Sequence, residues 1–306
     1  MPPRRLLPPL LCLGAALALK PAFLTAQQLE PRAYSVAPVG VNAFLVTFTT
    51  MAGDINFDPT YPVEDVSATI NNAAIGYFRS IDFFGRSGSI AVVAPYTAGS
   101  IQGLVLGEFV KVSRSGLSDA GVRLAVNLYG GPAMTWKEFA RYEQKWVVGA
   151  SFVAVAPTGQ YDPARLVNIG ANRWSFKPEI GVTRTLGRWT LEWIFGAWLF
   201  TPNNDFQGSR QTQQPIGSGQ MHVVYTFRPG LWAAFNANFY AGGRTSVDGV
   251  ARFDLQRNSR VGATVSIPLG RHHSLKAAYS AGAYTTIGAD FQAITLGYQY
   301  IWGEGF

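Results

Sequence analysis

The sequence predicts an all-β fold, a transmembrane antiparallel up-and-down β-barrel of about 12 strands with one short helix. Three observations predict it. The chain is 48% hydrophobic and 14% charged, against the ~25% charged residues of an average soluble domain. Mean hydropathy is nevertheless only +0.09, too low for a bundle of membrane helices. Lipid-facing and interior residues that alternate along strands average out in this way. That alternation recurs in segment after segment, and the last of them ends on an aromatic residue, Phe306.

Residues 1–26 read as a cleaved signal peptide and 27–306 as the barrel. Arg4 and Arg5 form a positive start, Leu6 to Leu19 an apolar stretch, and Leu24-Thr25-Ala26 a cleavage site before Gln27. A membrane anchor is the alternative, but the run falls short of the ~20 residues a helical span needs. Cleavage removes Cys12, the single cysteine, and leaves no disulfide, thiol nucleophile or cysteine-bound metal. Net charge falls from +7 to +4 as Arg4, Arg5 and Lys20 leave. The remaining charge is scattered, with no basic run or interleaved aromatic motif to suggest nucleic acid. After residue 26 no apolar run approaches ~18 residues, which excludes helical spans.

The terminal segment is the most specific signal. Ile294, Leu296, Tyr298, Tyr300 and Trp302 share one parity, with Thr295, Gly297, Gln299, Ile301 and Gly303 between them. It resembles the last strand that outer-membrane barrels present to their assembly machinery, although Glu304 replaces the usual apolar residue. Trp189 to Leu199, Leu231 to Phe239, Val261 to Leu269 and Leu275 to Ala281 alternate in the same way. Each has the 9–11 residues of a tilted bilayer-crossing strand. Glycine-bearing tight turns fall around 84–88, 186–188, 228–230 and 269–272, and long polar loops around 98–119, 158–172, 201–215 and 242–258. Short turns at one end and long loops at the other match periplasmic turns and extracellular loops. Threading the chain accordingly gives strands near 42–51, 67–81, 89–97, 120–130, 145–156, 174–185, 188–200, 219–228, 231–241, 259–269, 273–284 and 290–302. Leu104, Leu106, Val110 and Val112 also alternate and could add strands or an inward plug. Residues 133–144 read as a helix on the periplasmic side, with Thr135 and Glu138 at capping-box spacing.

If the apolar parity faces lipid, the other lines the lumen. Its candidates are Arg123, Asn127, Lys177, Glu179, Glu192, Gly196, Asn236, Asn238, Arg260 and Lys276. Arg or Lys facing lipid at the midplane costs ~2–4 kcal/mol, so these charges belong inside. They either fill the barrel with ion pairs or line a passage. Gly149, Gly181, Gly196, Gly262, Gly282 and Gly297 share the parity and either open a passage or mark bends. Trp198, Trp232, Tyr129 and Tyr240 lie near strand ends and read as interfacial girdle residues rather than lumen surface.

Gly116-Leu117-Ser118-Asp119, Ala156-Pro157-Thr158-Gly159 and Phe176-Lys177-Pro178-Glu179-Ile180-Gly181 resemble, in order and spacing, a family of outer-membrane transporters named for a "putative MetA-pathway of phenol degradation". Ser118 stands where a second glycine is more usual. The likeness spans roughly residues 60 to 306 and implies a channel barrel, in some members associated with uptake of aromatic or other hydrophobic compounds.

Catalysis is not expected. His222 lies in a strand and His272 and His273 in a turn, no serine has a nucleophile-elbow setting, and no acidic or histidine cluster has metal spacing. Asp205, Asp248 and Asp254 in the loops are either solvated carboxylates or contacts for divalent ions or lipopolysaccharide. The leading expectation is therefore a cofactor-free passive channel for small solutes in the outer membrane of a Gram-negative bacterium. Its expected partners are outer-membrane lipid, lipopolysaccharide, the small-molecule solute and, through the strand ending at Phe306, the barrel assembly machinery. Two rivals remain open: a non-conducting barrel acting through loops 98–119 and 201–215, and a secreted soluble β-sandwich.

Overall fold

The computed structural model describes residues 29–56, 63–165 and 167–303. The expected signal peptide and Phe306 lie outside the described residues. The chain forms β1 (Asn42–Asn56), β2 (Val63–Phe83), β3 (Arg86–Val105), β4 (Glu108–Leu117), β5 (Gly121–Tyr129), helix α1 (Trp136–Phe139), β6 (Trp146–Val155), β7 (Ser175–Leu186) and β8 (Trp189–Phe200). There follow β9 (Asn203–Phe206), β10 (Ser209–Gln213), β11 (Ile216–Arg228), β12 (Leu231–Gly242), β13 (Thr245–Val247), β14 (Val250–Ala251), β15 (Gln256–Pro268), β16 (His273–Thr285) and β17 (Gly288–Trp302).

All wall pairings are antiparallel between chain neighbours, and the first strand meets the last: Thr47 opposite Gly297 and Phe44 opposite Tyr300 close the cylinder. β4 and β5 both pair with β3, β4 along its upper half (Tyr96 opposite Leu117) and β5 along its lower half (Ala91 opposite Arg123). They make one stave, interrupted at 118–120, so the wall is a closed barrel of 12 strands. Closure leaves no unpaired strand edge inside the hydrocarbon, which is what allows a sheet to cross a bilayer. Each of the twelve expected strands is present, and the soluble-sandwich rival falls.

One loop expectation is corrected. Residues 98–119 are not a polar loop but the upper halves of β3 and β4, joined at Leu106 (φ 53°) and Gly107 (φ 82°). Two successive positive-φ residues match the right-handed twist of a two-residue hairpin. The alternation of Leu104 with Val110 and Val112 was the signal for it. β3 has 20 residues, about twice what a tilted strand needs to cross, so this hairpin continues the wall beyond the membrane. Loops 201–215 and 242–258 likewise fold, into a small sheet of order β14-β13-β10-β9.

The outer face carries exposed Phe48, Ile75, Leu124, Ile180, Phe195, Phe235, Leu275 and Leu296, bounded by two aromatic belts. Trp189, Tyr225 and Phe227 pack edge to face at 4.8 and 4.9 Å, and Tyr77, Tyr300 and Trp302 cluster, at the periplasmic end. Phe152, Phe176 and Trp174 stack at the other. The helix is shorter than the expected 133–144: only Trp136–Phe139 is helical, started by a capping box in which Thr135 and Glu138 exchange hydrogen bonds. Those bonds hold the Glu138 carboxyl below its usual range. The cap is therefore present above the ordinary carboxylate pKa and is lost as pH falls through the lowered one.

Phe195 lies mid-strand on the lipid face and is 57% exposed. Phe195→Arg is expected to cost about 2–4 kcal/mol in denaturant titrations of the barrel in lipid; an unchanged midpoint would remove β8 from the bilayer.

Candidate functional site

The inner face is divided into two unlike halves. On β17, β1, β2 and β3 no inward residue is charged above Asp82, which caps the β2–β3 turn. β1 contributes Ala43, Leu45, Thr47, Thr49, Met51 and Ile55; β2 contributes Val66, Ala68, Ile70, Asn72, Ala74, Gly76, Phe78 and Ser80; β3 contributes Ala91, Val93, Pro95 and Thr97. On the opposite wall, β7, β8, β11, β12 and β15 contribute Lys177, Glu179, Glu192, Gln220, His222, Asn236, Asn238, Asn258, Arg260 and Thr264, each 8% exposed or less.

That polar wall is tied together laterally. Lys177 Nζ meets Glu179 Oε1 at 2.6 Å and lies 5.4 Å from the Trp198 ring. Ser151 Oγ donates to Glu179 Oε2 at 3.2 Å, and Arg123 Nη2 donates to the same hydroxyl. A second row runs from His222 Nδ1 to Asn236 Oδ1 (2.8 Å), whose Nδ2 donates to Thr264 Oγ1 (3.0 Å). Arg260 Nη2 donates to Ser280 Oγ and to the Phe291 carbonyl. Burying an ion without a partner costs several kcal/mol, so such a wall stands only if its charges are satisfied.

Residues 29–41 add further partners from within the barrel. The Arg32 N–H donates to Glu192 Oε2 at 2.6 Å, and the Glu30 N–H donates to Gln220 Oε1 at 3.3 Å. Tyr34, 3% exposed, shares a 3.0 Å hydrogen bond with Ser151 Oγ, and the Arg123 guanidinium lies 5.3 Å from its ring. A β-carbon on either Gly149 or Gly181 would come within 2.2 Å of that ring, so these paired glycines form the slot that receives it. Leu29 approaches Gly262 in the same manner. The base of the segment is held by Val39 N–H to the Met134 carbonyl and Gly40 N–H to the Ser80 carbonyl, with Val36, Met134, Val147 and Phe139 packed around Tyr34.

The two halves consequently differ in what remains accessible. Lys177 is 6% and Glu192 1% exposed, whereas inward Val93 is 43% exposed. Leu45, Thr47, Ile70, Ala74, Phe78, Ala91, Thr295 and Gly297 all keep intermediate exposure. Open space lies against the uncharged wall; the polar wall is covered. At the extracellular mouth Val167 joins inward Ile55, Val66, Ala68, Ile101, Ala289 and Phe291 in an apolar cluster. Its loop is anchored by Asp119, which accepts from the N–H groups of Gly159 and Ala171 at 2.8 Å each. Burial raises the Asp119 carboxyl, against the pull of those two bonds. Burial also lowers Arg173 to about 10, opposed by the charge of Asp119.

A family model described as "Putative MetA-pathway of phenol degradation" matches residues 52–286. The chain belongs to that family. No curated relative matches it. Among solved structures it is similar to the COG4313 outer membrane channel from Pseudomonas putida F1, with 19% identity, 90% of this chain and 100% of that chain covered, and a TM-score of 0.74. It is less similar to the β domain of the Bordetella autotransporter BrkA, at 14% identity, 86% and 100% coverage and a TM-score of 0.48. Family and fold together make the protein a barrel of the Gram-negative outer membrane.

For this family member, parity located the inner face and not its packing. All ten expected residues point inward, but Asn127, Lys177, Glu179, Asn236, Asn238, Arg260 and Glu192 are covered by neighbours or by residues 29–41, while Arg123 and Lys276 retain exposure. Gly196 packs against Glu179, whose Cγ would lie 2.8 Å from an added β-carbon. The girdle reading is corrected for Trp198, Trp232 and Tyr240, which are 3%, 6% and 1% exposed inside the barrel; Tyr129, at 63%, remains outside. Nearness to a strand end misled there, because parity decides which way a ring points. Asp248 and Asp254 accept hydrogen bonds from Arg210 N–H and from Thr245, bracing the loop sheet, and among the described residues no His, Cys, Asp or Glu group is placed to hold a metal. The docked segment was missed: Glu30, Arg32 and Tyr34 precede the first alternating run and carry no strand signal of their own.

Gly149→Leu should expel Tyr34 and with it the segment. Trypsin is expected to spare the Arg32–Ala33 bond of the folded parent barrel and to cut it in Gly149→Leu; equal cleavage of both would mean that the segment is not seated.

Proposed function

We propose that the protein is a passive channel that admits small solutes, hydrophobic or aromatic compounds among them, across the outer membrane. One observation carries this reading: the exposure left along the uncharged β17-β1-β2-β3 wall, opposite a polar wall that is packed. Solutes pass between residues 29–41 and that wall. The family's name, the fold shared with an outer membrane channel and the apolar residues at the mouth support it. Passage down a gradient requires no catalytic group. His222, an inward strand histidine, is engaged with Asn236 in the packed half.

A second reading, a non-conducting barrel acting through its extracellular loops, draws on the four-stranded loop sheet and on Val167 seated in the mouth. The lipid-facing parity of β17 also supports recognition of its C-terminal end by the barrel assembly machinery.

Protein refolded in detergent and inserted into planar bilayers is expected to give stable single-channel steps in simple salt. Deleting residues 29–36 should raise the conductance several-fold by unfilling the polar side. A parent and deletion variant that both fold and both stay silent would favour the loop reading instead.

A further inference from the structure

Apart from Asp82 at the β2–β3 turn and Glu108 and Arg114 on the β4 extension, seven inward residues of the described strands can carry charge: Arg123 on β5, Lys177 and Glu179 on β7, Glu192 on β8, His222 on β11, Arg260 on β15 and Lys276 on β16. Lys177 and Glu179 neutralise each other at 2.6 Å, Glu192 is engaged by the Arg32 backbone, and His222 and Arg260 are buried. The two that keep access to the open space are both cations. Their positions are also particular. β16 adjoins β17 and β5 adjoins β3, so Lys276 and Arg123 stand at the two margins of the uncharged wall.

Height adds a gradient. The extracellular mouth is mainly apolar, with Ile55, Val66, Ala68, Ile101, Ala289, Phe291 and Val167, and its one inward guanidinium, Arg114, is tied to the Val167 carbonyl. Arg123 follows midway down, its Nη1 donating to the Ala33 carbonyl. Lys276, opposite Gly297 near the periplasmic end, lies 5.7 Å from the Trp232 ring and is exposed. A solute entering from outside meets a mainly apolar surface first and, lower down, Arg123, Arg32 and Lys276 against the single carboxylate of Glu30, a net positive stretch in a narrow bore whose low-dielectric wall focuses that charge.

Resting on the channel reading above, we propose that the preferred solute is an amphipathic organic anion, an apolar or aromatic body bearing one carboxylate or sulfonate. The body slides along the β17-β1-β2-β3 wall, and the anionic head passes from Arg123 to Lys276. A neutral aromatic would gain nothing from the two cations, and an organic cation would be repelled by both.

The test compares permanently charged probes, so that diffusion through lipid does not intrude. Reversal potentials across planar bilayers holding the refolded chain are measured with benzenesulfonate, methanesulfonate and benzyltrimethylammonium salts. Benzenesulfonate should permeate about tenfold better than benzyltrimethylammonium, the low end of what field focusing supplies. Lys276→Gln removes one of two comparable cations and should cut that ratio about threefold, half of the logarithm. Leu45→Asn should instead lower the ratio of benzenesulfonate to methanesulfonate. Heat-modifiable gel migration verifies that each variant is folded. A channel that conducts simple salt but favours the organic cation, or whose preference survives Lys276→Gln in folded protein, overturns this inference and leaves the channel reading intact. Silence in every salt overturns both.

Discussion

The structure depends on one constraint: polar groups inside a membrane barrel have no bulk water to satisfy them and must find partners in the protein. Half of this barrel's inner face is built from such groups. Strand neighbours satisfy part of the need, as in the pairing of Lys177 with Glu179 and of His222 with Asn236. Residues 29–41 supply more, with backbone N–H groups that reach Glu192 and Gln220 and with Tyr34 filling the Gly149–Gly181 slot. The segment therefore docks on one side of the lumen and not along its axis. The uncharged wall holds the segment only at its base, through Ser80 and Ser87, and beyond that base is where space remains.

The same asymmetry links fold to transport. A barrel of 12 strands lies between eight-strand barrels, whose interiors fill with side chains, and the 16–18-strand porins with aqueous channels. Here both outcomes coexist, one half filled and the other open. In the channel proposed above, an off-centre passage bounded by uncharged residues on one side and a peptide segment on the other would select solutes by their apolar surface. The two accessible wall cations at its margins would add the selection by charge proposed above.

Much of the fold was legible in the sequence because strand periodicity is local. The parity of Trp189, Leu191, Trp193 and Phe195 fixes a lipid face without reference to any other strand, and the four tight turns fix which strands are neighbours. The 98–119 hairpin was misread because strand signal beyond the bilayer resembles a polar loop with a few apolar residues. The site was legible only by halves. Inward parity follows from the sequence, but whether Asn236 meets water or a neighbour depends on the register of β11, β12 and β15. Glycine was ambiguous for the same reason: Gly149 and Gly181 admit the Tyr34 ring rather than open a passage, and that ring comes from a segment more than 100 residues earlier in the chain.

The central claim is that the lumen is open against one wall and filled against the other, and accessibility to a water-soluble thiol reagent tests it directly. Single cysteines at Thr47 and Ala74 on the uncharged wall, and at Asn238 and Thr264 on the polar wall, would be labelled in the folded barrel with a small charged methanethiosulfonate. The account predicts rapid modification at Thr47→Cys and Ala74→Cys and slow modification at Asn238→Cys and Thr264→Cys. Equal rates on both walls, or faster labelling of the polar one, would contradict it.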